Sequence, residues 1–167
     1  MGKLNRFTFV LPIVAVLFVA LLLFSGCFAP TDTFQKKAGA QVCTIEGKPV
    51  IRLYSASFCP HCNWVKDTYD SIVKEYVDQN KIVAYHWQVD LKDDLLTPAV
   101  EGSIPESEAA IFQQFNPEQT IPTFVFGCEY YRIGTGYEKV AGVGDLNMEA
   151  KEFRKIIDEL ILEAQSK

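Results

Sequence analysis

Four consecutive residues, Cys59-Pro60-His61-Cys62, carry the strongest chemical signal in this sequence. They follow a strand-like apolar run, Val50–Ala56, and precede a run with helical spacing that begins near Asn63. A cysteine at the first turn of a helix lies beside unpaired backbone N–H groups and the positive end of the helix dipole, which favour a thiolate. The thiolate is the nucleophile of disulfide exchange, so the motif predicts redox chemistry.

The two cysteines of this motif have different predicted roles. Cys59 is expected to be the exposed, attacking sulfur, and Cys62, one helical turn later, the buried sulfur that resolves a mixed disulfide. Pro60 suits the first helical turn, where its missing N–H costs nothing. His61, protonated or as a hydrogen-bond donor, would stabilise the thiolate further. The reaction needs no cofactor other than the disulfide that Cys59 and Cys62 form with each other.

Two other interpretations of a CxxC pattern fit this sequence less well. The pattern can be half of a zinc site, but the chain has no second CxxC, and we predict no metal. The remaining cysteines are scattered, at Cys27, Cys43 and Cys128, and the one other histidine is His86. A purely structural disulfide within the motif would close a ring too small to constrain much of the unfolded chain.

The first 28 residues are typical of a segment that targets or tethers a protein to a membrane. Lys3 and Arg6 precede Phe7–Phe24, an almost entirely apolar run that would span about 27 Å as a helix, close to the hydrocarbon thickness of a bilayer. A basic flank stays on the cytoplasmic side, so the rest of the chain is expected on the extracytoplasmic face, in a periplasm or outside the cell. The segment is an uncleaved transmembrane anchor, a lipoprotein signal or a cleaved signal peptide.

Cys27 bears on the choice between these three kinds of segment. The stretch Phe24–Cys27 resembles a lipobox, in which the cysteine would be lipidated and become the new N-terminus. Phe24 departs from the leucine-like residue that is usual there. Without such processing, Cys27 is an unmodified small apolar residue at the edge of the membrane.

The composition divides the rest of the chain into a linker and one acidic domain. Residues 29–41 have the polar composition of a linker, and residues 42–167 are long enough to bury a core. The chain carries 16 Lys and Arg against 21 Asp and Glu, a net charge of −5, and Lys3 and Arg6 belong to the N-terminal segment. Because phosphate binding needs a basic surface, we exclude nucleic acid as a partner.

Hydrophobic periodicity in this domain predicts an α/β fold. A strand over Val50–Ala56, a helix from His61 to about Gln79 and a strand over Lys81–Asp90 imply a parallel pair with a helical crossover. Residues 91–119 are expected to be mostly helical. The other predicted elements are an edge strand at Val42–Ile45, a helix at Glu106–Phe115, a hairpin of Thr120–Phe126 with Glu129–Ile133, and a final helix at Asn147–Ala164 capped by Asn147.

This order of elements, with a CxxC between the first long strand and its helix, resembles the thioredoxin fold, a small mixed sheet flanked by helices. A second motif agrees with it. Ile121-Pro122-Thr123 opens the strand after the middle helix, where thioredoxin-fold enzymes carry a cis-proline that faces the CxxC. The resemblance implies that Ile121 and Pro122 hold a substrate peptide in extended form. An ordinary trans proline at the start of a strand is the alternative.

Within that fold, the motif is similar to DsbA-like disulfide-forming enzymes, whose active sites read Cys-Pro-His-Cys. The resemblance implies a thiol–disulfide oxidoreductase that oxidises exported protein thiols and is reoxidised by a membrane redox partner, and the N-terminal segment would tether it to the membrane. A reductase or isomerase of the same fold, or a tethered binding or assembly module, are the alternatives. The chain departs from the family in two places. Residues 91–119 are too short for its large helical insertion, and Leu53 stands where the family has a buried acid.

Cys43 and Cys128 are predicted to form a structural disulfide. Cys43 precedes the turn that leads to Val50, and Cys128 ends the strand that starts near Pro122. Since those two strands should run antiparallel, both cysteines would lie at the same edge of the sheet, away from the CxxC. An oxidising compartment would then allow the bond. Two buried, reduced cysteines are the alternative.

Overall fold

The computed structural model of the chain describes residues 32–166. In that range the helices are α1 (Pro60–Asp78), α2 (Glu106–Phe115) and α3 (Leu146–Gln165). The strands are β1 (Gln35–Lys36), β2 (Thr44–Ile45), β3 (Lys48–Ser55), β4 (Val83–Gln88), β5 (Asp93–Asp94), β6 (Thr123–Phe126), β7 (Tyr130–Ile133), β8 (Glu138–Val140) and β9 (Val143–Gly144).

The predicted membrane segment, residues 1–28, and Cys27 lie outside the described residues. Among the helices of residues 32–166, none combines the length and the apolarity that a bilayer crossing requires.

One mixed sheet organises the domain. Its strands follow the order β1-β7-β6-β3-β4-β5, and β2 pairs with β3 beside this path. Strands β3 and β4 are parallel, with Leu53 opposite His86, and α1 crosses between them. Strand β6 is antiparallel to both β3 and β7. The predicted parallel pair and the predicted hairpin are therefore confirmed, and β3 is a central strand of the sheet.

Helices cover both faces of this sheet, so the predicted mixed sheet flanked by helices is confirmed. Side chains alternate between the two faces of a strand, which sends Leu53 to one core and Tyr54 to the other. Helices α1 and α3 pack on the first face, through residues that include Tyr69, Phe153 and Leu160. Helix α2 packs on the second face, where Phe112 stacks on Tyr54 with ring centroids 4.5 Å apart.

From Asp32 onward, the segment predicted as a linker, residues 29–41, contributes residues that pack and pair with the domain. Phe34 is 8% exposed and lies against Phe126, with ring centroids 4.9 Å apart. Gln35–Lys36 pairs with the outer edge of β7. An unpaired strand edge exposes backbone N–H and C=O groups, and this short segment covers part of it. Because the other residues of this segment are mostly polar, its composition gave no indication that Phe34 is buried.

Two local predictions also need correction. Asp145, not Asn147, caps α3, because its carboxylate accepts hydrogen bonds from the backbone N–H groups of Asn147 and Met148 at 3.0 and 3.1 Å. The connection over residues 91–119 is less helical than predicted, since it contains the short strand β5 as well as α2. In β5, the buried Asp94 accepts a hydrogen bond from the backbone N–H of His86 at 2.8 Å. That bond holds this connection against β4.

The predicted disulfide between Cys43 and Cys128 is present in the structure, with the two Cα atoms 5.4 Å apart. It lies where β2 turns into β3 and where β6 turns into β7, at the end of the sheet opposite the CxxC. The backbone N–H of Cys43 donates to the carbonyl of Gly127 at 2.8 Å. The two chain segments are therefore held together by a backbone hydrogen bond as well as by the covalent bond.

Candidate active site

The CxxC motif lies at the start of α1, directly after the last residues of β3. Cys59 is the N-cap, and α1 begins at Pro60, which has no N–H to leave unpaired. The backbone N–H of Cys62 donates to Cys59 Sγ at 3.3 Å. Cys59 and Cys62 are both present as free thiols. The sulfur of Cys59 thus occupies the position of a helix cap, where positive charge from the helix end is greatest.

Cys59 is less exposed than predicted. Cys59 is 7% exposed, against 1% for Cys62, so it is the more exposed of the two, as expected, but it is largely covered. The cover comes from Val89 and Ile121, which pack against the two cysteines and Ala56. The neighbouring Phe58, in contrast, is 77% exposed. Cys59 is therefore largely covered, and the residue directly before it presents an exposed aromatic ring.

Burial affects the protonation of the Cys62 thiol. It raises the pKa of Cys62 to about 12, and the contact with Cys59 raises it further. At neutral pH, Cys62 therefore keeps its proton. The helix N-terminus and the Cys62 N–H lie beside Cys59 Sγ, so the groups that stabilise a thiolate are placed at that sulfur rather than at Cys62.

The Ile121-Pro122 peptide bond is cis, as predicted. The carbonyl of Ile121 lies 3.9 Å from Cys59 Sγ, and its side chain contacts the cluster around the cysteines. Strand β6 starts immediately afterwards, at Thr123. The predicted juxtaposition of this proline loop with the CxxC is therefore confirmed.

His61 contacts an acid that the sequence did not suggest. Its Nδ1 lies 2.7 Å from Oε2 of Glu138, on β8, and the Glu138 side chain is only 2% exposed. Burial by itself would raise the pKa of Glu138, but hydrogen bonds from the Gly142 N–H, from His61 and from Thr135 lower it overall. Glu138 is therefore a carboxylate at neutral pH. Because the two partners are 77 positions apart in the sequence, sequence reasoning did not identify the pair.

Asp90 holds the loop that leads into the motif. Its carboxylate accepts hydrogen bonds from the Ser57 N–H at 3.1 Å and the Ser57 hydroxyl at 2.5 Å. Burial acts to raise the pKa of Asp90, but these bonds lower it overall. Because β3 and β4 are parallel, residues that follow them meet at one edge of the sheet. That rule would have placed Asp90 beside the motif from sequence alone.

A buried Ser–His–Asp chain lies under α1. His86 is fully buried, with its Nε2 2.8 Å from the Ser55 hydroxyl and its Nδ1 2.6 Å from the Asp70 carboxylate. Such a chain can activate a serine nucleophile when substrate can reach it. Ser55 is 2% exposed, so substrate cannot reach it here. The contacts place His86 as a packed histidine with both ring nitrogens in hydrogen bonds.

A cavity of about 510 Å³ opens beside the site, on the α2 face of the sheet. Val89 belongs both to the cavity wall and to the residues that contact Cys59 and Cys62. The other lining residues combine apolar side chains with a phenol, amides and one acid: Tyr54, Ile104, Glu106, Ala109, Ala110, Phe112, Gln113 and Gln119. The cavity therefore offers both apolar contacts and hydrogen-bonding groups.

Neither a family model, nor a curated protein, nor a solved structure matches this chain. The chemistry of the site therefore rests on its own geometry. That geometry brings together Cys59, Cys62, His61 and the Ile121-Pro122 bond, all of which the sequence singled out. It keeps Cys43–Cys128 apart from them as a separate disulfide.

Proposed function

We propose that this chain is a thioredoxin-like thiol–disulfide oxidoreductase that oxidises protein thiols to disulfides. The observation that carries the proposal is the pair of free thiols at the N-terminus of α1, with Cys59 Sγ 3.3 Å from the Cys62 N–H and 3.9 Å from the carbonyl of the cis Ile121-Pro122 bond. The arrangement offers one sulfur that is stabilised as an anion, one that is protonated, and a backbone acceptor for substrate beside them.

The proposed reaction starts from the Cys59–Cys62 disulfide. A substrate thiolate attacks Cys59 Sγ, the bond to Cys62 breaks, and Cys62 leaves and takes up a proton, which its raised pKa retains. A second substrate thiolate then attacks the substrate sulfur of the mixed disulfide and displaces Cys59 as a thiolate. The substrate loses two electrons and gains a disulfide. The enzyme gains two electrons and must be reoxidised.

The direction of the reaction follows from which form of the pair is stabilised. The helix N-terminus and the Cys62 N–H act on a thiolate at Cys59, which exists only in the reduced form. Stabilising the reduced form makes the disulfide a stronger oxidant. This supports an oxidase over a reductase.

The location proposed for this activity is the extracytoplasmic face of a membrane. The apolar run of residues 7–24 would hold the domain there, and the Cys43–Cys128 disulfide suits an oxidising compartment. Exported protein thiols would be the substrates. A membrane redox partner would take the electrons from the reduced pair.

Disulfide transfer tests this proposal directly. Oxidised full-length protein in detergent, mixed with a reduced peptide that contains two cysteines, should yield close to one peptide disulfide per protein molecule and leave Cys59 and Cys62 open to alkylation. The control is the Cys59→Ser/Cys62→Ser variant, which keeps Cys43–Cys128 and should transfer none. A peptide that stays reduced, or equal transfer by the variant, would contradict the proposal.

A further inference from the structure

The hairpin β8–β9 joins the proposed redox site through Glu138, a residue outside the CxxC and the proline loop. We infer that Glu138 is a positioning residue that holds a carboxylate against His61, at the helix end that carries Cys59, and so makes the Cys59–Cys62 disulfide more oxidising. This inference rests on the proposed function, because it concerns what sets the reduction potential of the same Cys59–Cys62 pair.

Two hydrogen bonds that do not involve His61 hold the carboxylate of Glu138 in place. Its Oε1 accepts a hydrogen bond from the Gly142 N–H at 2.5 Å, and its Oε2 accepts one from the Thr135 hydroxyl at 2.9 Å. With the side chain 2% exposed, the anion is shielded from solvent. Pairs between solvent-exposed charges contribute little, whereas a shielded and preorganised carboxylate acts more strongly on its partner.

The hairpin is itself held against the body of the domain. Gly144 lies so close to Trp64, on α1, that a Cβ on the glycine would approach the indole ring to 2.7 Å. On the other side, Glu149 of α3 accepts hydrogen bonds from the N–H groups of Gly136 and Tyr137, at 2.6 and 2.9 Å. These contacts fix the backbone that leads to Glu138. The distance from its carboxylate to His61 is therefore set by the fold.

The charge on His61 then acts on the neighbouring thiol. His61 stands two residues after Cys59, in the first turn of α1, and its ring is half exposed. A carboxylate in contact with an imidazole stabilises positive charge on the ring, and positive charge at a helix N-terminus stabilises a nearby thiolate. The charged side chain that contacts His61 is that of Glu138 from β8, and Cys59 precedes His61 by two residues at the same helix end. A thiolate exists only in the reduced form, so the arrangement raises the reduction potential.

Glu138→Gln is the informative change, because it keeps the shape and removes the charge. The glutamine amide can donate to Nδ1 of His61, which holds the imidazole in its neutral form. We expect the equilibrium constant for oxidation of the full-length protein by oxidised glutathione to rise about tenfold, which corresponds to a potential lower by about 30 mV. The rate of Cys59 alkylation by iodoacetamide at pH 6, divided by the rate at pH 8, should be lower in this variant than in the wild type.

A double-mutant cycle with His61→Ser separates this mechanism from direct repulsion. Glu138 also repels a thiolate at Cys59, so without His61 its removal should leave the potential unchanged or raise it. The matched control is Glu75→Gln, which removes the same charge near the far end of α1, where Arg154 pairs with Glu75. It should leave both readouts unchanged. Circular dichroism spectra that match the wild type check that each variant is folded.

Two results would overturn the inference: equal potentials for wild type and Glu138→Gln, or an equal lowering by Glu138→Gln in the presence and absence of His61. Both readouts are properties of the dithiol itself. A protein that fails to transfer its disulfide to a peptide would contradict the proposed function without deciding the role of Glu138.

Discussion

Replacing Cys62 with alanine is expected to convert the protein into a trap for its substrates. Without the resolving sulfur, a mixed disulfide between Cys59 and a substrate cysteine can be cleaved only by another thiol from outside the pair. Membranes of cells that produce the variant, treated with acid and an alkylating agent, should show ladders of disulfide-linked adducts on non-reducing gels. The wild type should show few, because Cys62 attacks and releases each adduct.

The control for the trap is a second substitution in the same variant. Cys59→Ala combined with Cys62→Ala leaves Cys43–Cys128 intact and should give no adducts. Adducts that persist in this double variant would place the reactive thiol elsewhere. An absence of adducts in Cys62→Ala itself would favour the alternative of a binding or assembly module with little turnover.

Replacing Arg132 with methionine is expected to have the largest effect on folding. Its guanidinium is 4% exposed and lies 2.6 Å from the Glu149 carboxylate and 3.2 Å from that of Glu152. The rings of Phe34 and Phe124 pack against it. Methionine would fill part of the space but leave two buried carboxylates without a counter-charge. Removing one partner of a buried ion pair costs about 3–5 kcal/mol.

Equilibrium urea denaturation measures this loss, and Arg154→Met provides the comparison. Arg154 makes the same kind of two-pronged contact, to Glu75 at 2.7 and 2.9 Å, but both side chains are more than a third exposed. An exposed pair contributes about 0–1 kcal/mol. Similar losses in the two variants would mean that burial does not set the contribution of Arg132.

The sequence predicted those parts of the domain whose signals are local. A strand that ends in Cys-Pro-His-Cys and continues as a helix required only hydrophobic periodicity and the chemistry of a helix N-terminus. The Cys43–Cys128 pairing needed one further step, from the direction of two strands to the edge that they share. Each stretch could be assigned to a strand or a helix from its own residues. The antiparallel pairing of β3 with β6 then brought the two cysteine-bearing stretches together as expected.

The contacts that the sequence did not reveal depend on residues far apart in the chain. Glu138 meets His61 only because residues 134–145 fold back over α1, and no periodicity marks that hairpin. Phe34 was hidden in the same way, since one buried ring in a polar stretch has no pattern around it. The coverage of Cys59 was missed because it depends on Val89 and Ile121, which come from two other elements.

The reduction potential of the Cys59–Cys62 pair tests the central claim most directly. Full-length protein equilibrated in glutathione buffers would be acid-quenched, alkylated and mapped, so that this pair is read separately from Cys43–Cys128. We expect a potential well above about −200 mV, towards the value of about −120 mV of a strong oxidant such as DsbA. A value at or below about −270 mV, that of thioredoxin, would contradict the account and indicate a protein that delivers electrons to disulfides.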